Sequence, residues 1–190
     1  MSKFHKIWLL IFVIFILTNC ISIKFDGPGY DSGYNKLDII NKERVVFLNE
    51  EINICDLNDS SKIFSITAKQ LRNCLINLDT ALVYKWSPNC SAKSCISLST
   101  CLDFCQKKNY KLFVVADYFD FKQFDAQYTK DLQIFIPNHK YYKTDYSNKY
   151  NRLFKEELMA GERLIKDNKY DRFLFFHNGN FVKSKPSLFN

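Results

Sequence analysis

Two cysteines, Cys90 and Cys95, stand in the stretch KWSPNCSAKSC, residues 85–95, directly behind the apolar run ALVYKW. Thiols this close can act as a redox pair, ligate a metal or staple a loop, or they can fill a core. Four more cysteines share the chain beyond residue 20: Cys55, Cys74, Cys101 and Cys105. No second C-x-x-C follows, and only His139 and His177 lie downstream, so the spacing is not that of a zinc ribbon. Neither a metal nor a cofactor is expected. Cys101 and Cys105 fall with Leu98 and Leu102 on one helical stripe and read as core thiols. Cys74 reads the same way on its own helix. Cys90 follows Pro88-Asn89 in a turn and is the candidate nucleophile, with Cys95 as the second thiol.

The elements around these cysteines follow from hydrophobic period. Residues 65–78 (SITAKQLRNCLINL) carry apolar residues at helical spacing, and Thr67 with Gln70 forms a capping-box signature. ALVYKW reads as a strand, and 91–107 as a helix with Asn109 as its cap. That start would put Cys90 at a helix N-terminus, where free N–H groups and the dipole favour a thiolate. KLFVVADYF, apolar on both faces, reads as a buried parallel strand. FKQFDAQYT is a short helix, LQIFIP a strand, and 150–166 a third long helix. RFLFF and FVKS flank an Asn-Gly turn and read as a hairpin. VVFLNEEINI can add a strand at the domain edge. Alternation of this kind implies an α/β domain with a central sheet and helices on both faces.

The N-terminus has a different character. Lys3 and Lys6 precede an uninterrupted apolar run, Ile7 to Leu17, too short for a span of about 20 residues but of the length of a secretory h-region. The run closes on Leu17-Thr18-Asn19-Cys20. This resembles the bacterial lipoprotein signal, which implies cleavage before Cys20 and lipidation of Cys20. Residues 20–42 hold three of the chain's five glycines and read as a tether, which leaves 43–190 as the folded domain. The expected location is the bacterial cell envelope, anchored to a membrane outside the cytoplasm. There an even number of cysteines favours disulfides.

From about Ser65 to Lys183 the chain resembles the thioredoxin-like superfamily. Trp86 stands four residues before Cys90, as an aromatic strand leads into the first cysteine of C-x-x-C in its membrane-anchored members, and FLFFHNGNFV resembles the closing hairpin. The chain has C-x4-C, with Lys93 where the second cysteine would fall, and no proline in Lys169-Tyr170-Asp171 before the hairpin. The resemblance implies a three-layer sandwich on a mixed sheet of four to five strands. It also implies thiol–disulfide exchange, with Cys90 attacking and Cys95 resolving. SPNCSAKSC is also similar to the active-site stretch of atypical two-cysteine peroxiredoxins, with Ser87 in the hydroxyl position; Arg172 is the one candidate for their arginine. A thioredoxin-fold binding lipoprotein without turnover is the reading from outside enzymology.

Composition narrows the partners. The 190 residues are 47% hydrophobic and 16% aromatic, enough for a real core. Five glycines argue against a phosphate-cradling loop. The net charge of +7 is scattered, and its longest basic run is Lys107-Lys108, so no nucleic-acid stripe is present. An anionic membrane surface and a protein thiol or disulfide are the expected partners.

Overall fold

The computed structural model describes residues 30–92, 94–159 and 170–189. The signal at 1–19, the lipidation site Cys20, the first part of the tether and the end of the third long helix lie outside the described residues.

Seven strands form one mixed sheet: β1 (Val45–Phe47), β2 (Ile63–Ile66), β3 (Thr80–Trp86), β4 (Lys111–Ala116), β5 (Ile134–Pro137), β6 (Phe173–His177) and β7 (Asn180–Lys185). Their order is β1-β2-β5-β4-β3-β6-β7. The first five are mutually parallel, and the β6–β7 hairpin is added antiparallel to β3. The helices are α1 (Ile39–Glu43), α2 (Ala68–Leu75), α3 (Leu98–Lys108), α4 (Phe121–Ala126) and α5 (Ser147–Leu158).

Successive side chains along a strand point to opposite faces. Leu82, Tyr84 and Trp86 of β3 therefore join α3 and α4 in one apolar cluster, through Leu98, Cys101, Cys105, Phe121 and Phe124. Ala81 and Val83 join α2 and α5 in a second cluster, through Leu71, Cys74, Leu75, Phe154 and Leu158. The sheet is thus covered on both faces, as its continuous apolar strands require.

The sheet is larger than the expected four to five strands. The additional strands are the edge strand β1 and the four-residue β2, whose last two residues, Ser65 and Ile66, fall in the segment read as helical. All four β2 residues are buried, so the segment shows no alternation, and it runs straight into the helix signal. The helix begins only after Thr67, whose Oγ1 accepts from Gln70 N–H at 3.2 Å while Gln70 Oε1 accepts from Thr67 N–H at 2.8 Å. At the far end of the chain, Asn178 and Gly179, with φ 47° and 75°, make the two-residue hairpin turn.

The tether expected over 20–42 is in part built into the domain. Ser32 is fully buried: its carbonyl accepts from Phe119 N–H at 2.8 Å, and its hydroxyl donates to Asp145. Tyr34 packs edge-on against Phe47, with ring centroids 5.2 Å apart. The glycine-rich composition concealed these few anchoring side chains.

Chain direction sets where a site can form. After β3 and β4 the chain turns to the α3–α4 face, and after β2 and β5 to the α2–α5 face. β4 and β5 are neighbours, so the helices diverge at their carboxyl ends, and a crevice opens where open α/β sheets bind ligands.

Candidate functional site

Cys90 and Cys95 are joined by a disulfide, with Cα atoms 6.0 Å apart, in the loop that leaves the carboxyl end of β3. Both are partly exposed. The sequence places them together correctly but places the helix wrongly. The helix starts at Leu98, not near Ser91, so Cys90 lies eight residues before it and not at its N-terminus. Two serines competed for the cap, and packing chose between them. Ser97 accepts from Thr100 N–H at 3.1 Å, while Leu98 is fully buried and its N–H donates to Gln127 at 3.2 Å.

The loop is pinned at both ends. Cys90 N–H donates to Ser87 O at 3.1 Å and Cys95 N–H to Ala92 O at 2.9 Å, so each cysteine closes a turn. Asn89 N–H donates to the Tyr118 hydroxyl at 3.2 Å, and the Asn89 side chain donates to Asp120 at 2.6 Å. On the return side, the Tyr84 hydroxyl donates to Ile96 O at 3.0 Å. Tyr84 is fully buried and stacked on Phe173 at 4.6 Å, and burial pushes its pKa up to about 12.

The other cysteines divide sharply. Cys55 and Cys74 form a second disulfide, with Cα atoms 5.3 Å apart, joining the short turn at Ile54–Asp56 to α2. Cys74 is buried on the apolar face, as the helical pattern implies, but its bond to Cys55 was not legible from spacing. Cys101 and Cys105 are free and buried. The hydrogen bond to Cys105, and then burial, push the Cys101 thiol far above its ordinary pKa, so it stays protonated and inert.

Beside the loop lies a cleft of about 740 Å³ at the carboxyl ends of β3 and β4, reaching the start of α5 and the approach to β6. Ser87 lines it, and its hydroxyl donates to Asp117, the first residue beyond β4. Asp117 pairs with Lys85 at 3.4 Å, and its carbonyl accepts from the Tyr150 hydroxyl at 2.5 Å and from Asn151 Nδ2 at 2.8 Å. Lys155 lines the floor, only 3% exposed, and donates to Asp171 O at 3.3 Å. Burial, reinforced by Lys85, pulls its pKa down to about 8 against the opposing pull of Asp171. Arg172 bridges toward Lys85 O at 3.5 Å. No sequence signal marked this cleft, because its residues come from four separated segments.

Neither His139 nor His177 is part of this site. His139 sits in the loop after β5, and its ring is buried among Tyr34, Phe47, Phe119 and Tyr150. Burial lowers its pKa. His177 is exposed at the end of β6. Over residues 140–150, a tyrosine-rich stretch that runs into α5, Tyr150 is buried and Tyr142 partly so, while Tyr141 and Tyr146 are exposed. Among the described residues no group of three or more His, Cys, Asp or Glu side chains is placed to hold a metal. No described helix is long and apolar enough to cross a membrane.

Fold and site together define a mixed α/β protein with a bridged cysteine pair at the carboxyl edge of its sheet. No family model, curated protein or solved structure matches the chain.

Proposed function

We propose that this protein carries out thiol–disulfide exchange through Cys90 and Cys95, on a thioredoxin-like domain held on a bacterial membrane outside the cytoplasm by lipidated Cys20. The observation that carries the proposal is the difference among the cysteines. Of the two bridges among the described residues, Cys90–Cys95 is the one that combines partial exposure of both members with a loop anchored on either side. The β3-α3-β4 unit with an antiparallel hairpin beside β3 supports the thioredoxin-like reading; β5, inserted between β4 and β2, and the edge strand β1 would be additions to that plan.

In the reduced form the Cys90 thiolate attacks one sulfur of a partner disulfide and releases the other as a thiol. Cys95, deprotonated, then attacks Cys90 Sγ, re-forming the bridge and freeing the partner's second thiol. The partner disulfide gains two electrons and two protons, and Cys90 and Cys95 lose the same number. The peroxidase alternative draws less support. Ser87 donates its hydroxyl to Asp117 rather than toward a bound peroxide, and α3 begins too late to stabilise a thiolate at Cys90.

The test is trapping. Reduced full-length Cys95→Ala, offered a small aromatic disulfide or an oxidised peptide, should accumulate a mixed disulfide at Cys90, and Cys90→Ala should not. Equal exchange by the double variant Cys90→Ala/Cys95→Ala would refute the assignment. For the anchor, Cys20→Ala should leave an unprocessed precursor of greater mass; an unchanged N-terminal mass would remove Cys20 from the proposal.

A further inference from the structure

Helix α1 displays apolar side chains that the fold does not use. Ile39 and Ile40 are 77% and 74% exposed, and among the described residues no other two consecutive large apolar side chains are left so open. A helix on a protein surface ordinarily turns such residues inward, yet α1 buries none of its five residues. Its position is fixed all the same. Asp38 caps it, accepting from Asn41 N–H at 2.8 Å. Leu37 before it and Val45 after it pack against the core cluster of α3 and α4. Arg44, just past its end, pairs with Asp125 at 2.8 Å, and its carbonyl accepts from Ile63 N–H at 2.9 Å. So short a helix has little stability of its own, and these flanking bonds hold the two isoleucines out toward solvent.

The charges around them are mixed. Lys36 pairs with Asp31 at 2.9 Å, and Lys42 and Lys140 lie 5.8 and 5.2 Å from the centroid of the Tyr34 ring. Asp38 and Glu43 are exposed on the same segment. What this surface offers a partner is therefore apolar contact. Its size narrows the partner. A stable protein interface takes about 800 Å² from each side, far more than two side chains supply. So small a contact holds only where something else keeps the partner close. Chain length does so here. Tyr30, the first described residue, stands ten positions beyond Cys20, and ten residues reach at most about 33–36 Å. From Tyr30 onward the chain is fastened down: Ser147 N–H donates to Tyr30 O at 3.3 Å, Phe119 N–H donates to Ser32 O at 2.8 Å, and Tyr34 packs on Phe47. With Cys20 in a bilayer, lipid is the partner that never leaves the neighbourhood of α1.

We propose that Ile39 and Ile40 insert into the interface of the bilayer that holds Cys20, docking the domain with α1 against lipid. The proposal rests on the lipid-anchor reading and is independent of thiol exchange. Interfacial binding scales with buried apolar area, so the two side chains add to what the lipid supplies. Lys42, exposed on the same helix, can lay its stem along the apolar surface and keep its ammonium among the headgroups.

Quenching of a placed tryptophan tests this. The full-length protein, produced in a bacterium, is reconstituted into phosphatidylcholine–phosphatidylglycerol vesicles with brominated acyl chains, bromine being a contact quencher of indole. Unbrominated vesicles give the reference, and the parent, whose Trp86 is 4% exposed, gives the baseline. Ile39→Trp should lose about half or more of its added emission, as a ring lying about 5–10 Å into the headgroup–acyl boundary would. Val182→Trp is the comparator. Val182 is 59% exposed on β7, and β7 and β1 are opposite edges of the sheet, so this indole should be quenched far less. In protein that floats with the vesicles, an unquenched Ile39→Trp, or one quenched no more than Val182→Trp, would overturn the proposal. So would a blue shift of Ile39→Trp without quenching, which would mean that protein, from this chain or a second copy, covers the patch. Protein that does not float with the vesicles would remove the anchor reading, and this proposal with it.

Discussion

The two disulfides close loops of very different size, and that difference predicts how each supports the fold. In the chain-entropy picture, a cross-link removes about 2.1 + 1.5R ln n cal/mol/K of freedom from the unfolded chain, where n is the loop length. Cys55–Cys74 spans 19 residues, which gives about 3 kcal/mol at 25 °C. Cys90–Cys95 spans 5, which gives about 2 kcal/mol. Packing widens the gap. Cys74 is 1% exposed in the cluster of α2 and α5, so trimming it to alanine leaves a void worth on the order of 1 kcal/mol. Cys90 and Cys95 are partly exposed in a loop held by other bonds.

Cys55→Ala/Cys74→Ala should therefore lose about 4 kcal/mol, a fall in Tm of roughly 8–16 °C for a chain of this size. Cys90→Ala/Cys95→Ala should lose about 2 kcal/mol at most, roughly 4–8 °C. Urea unfolding of the oxidised proteins, with each m-value fitted separately because removing a cross-link expands the unfolded chain, gives both figures. If removing the Cys90–Cys95 bridge costs as much as removing Cys55–Cys74, the assignment of one bridge to stability and the other to chemistry is wrong.

Two further predictions rest on single residues. Lys155 has its folded pKa lowered to about 8, against about 10.4 in the unfolded chain. Over that interval the unfolded state holds more protons, so this group's contribution makes stability rise with pH, by on the order of 2–3 kcal/mol. The difference in urea midpoint between Lys155→Met and the parent should narrow from pH 7 to pH 10, and a difference that is flat or widening would contradict the burial argument. Gly179 has φ 75°, and an added Cβ would lie 2.8 Å from Ile76 Cα. Gly179→Ala should cost on the order of 2–3 kcal/mol in unfolding free energy, from left-handed strain and backbone contact together, and a loss below about 0.5 kcal/mol would show that the turn shifts freely.

Part of this molecule is legible in its sequence because the signals are local. Thr67 and Gln70 announce the α2 cap, Asn109 ends α3, Asn178-Gly179 turns the hairpin, and the apolar runs of β3, β4, β5 and β6 can only be buried strands. What escaped depends on distance. Ile63–Ile66 is flanked by Thr67 and buried throughout, so nothing in its period separates it from the helix that follows. The partner of Cys74 sits in a short turn with no periodicity to place it. The cleft cations are separated by as many as 87 positions, from Lys85 to Arg172, and only the sheet order brings them to one edge. Residues 30–37 read as linker because the 20–42 segment around them holds three of the chain's five glycines, while Ser32 and Tyr34 do the anchoring.

The late start of α3 reshapes the argument about the cysteine pair. Five positions apart on a regular helix, two side chains point about 500° apart in rotation, or 140° net, and rise about 7.5 Å, so their sulfurs do not meet. In the loop before Leu98 the same spacing closes readily, because each cysteine ends its own turn: Cys90 N–H on Ser87 O and Cys95 N–H on Ala92 O. The change gives up the helix N-terminus as a source of thiolate stabilisation for Cys90. It also changes what holds the geometry when the bridge opens. The bonds from Asn89 to Tyr118 and Asp120, and from Tyr84 to Ile96, do not involve either sulfur. They clamp the loop on both sides of the pair, to the segment after β4 and to β3 itself. Reduction would then release one covalent bond while its two ends stay near each other. That is the condition for a second thiol to resolve a mixed disulfide faster than the partner can leave. A spacing that would separate two thiols on a helix becomes workable once side chains outside the loop fix its ends.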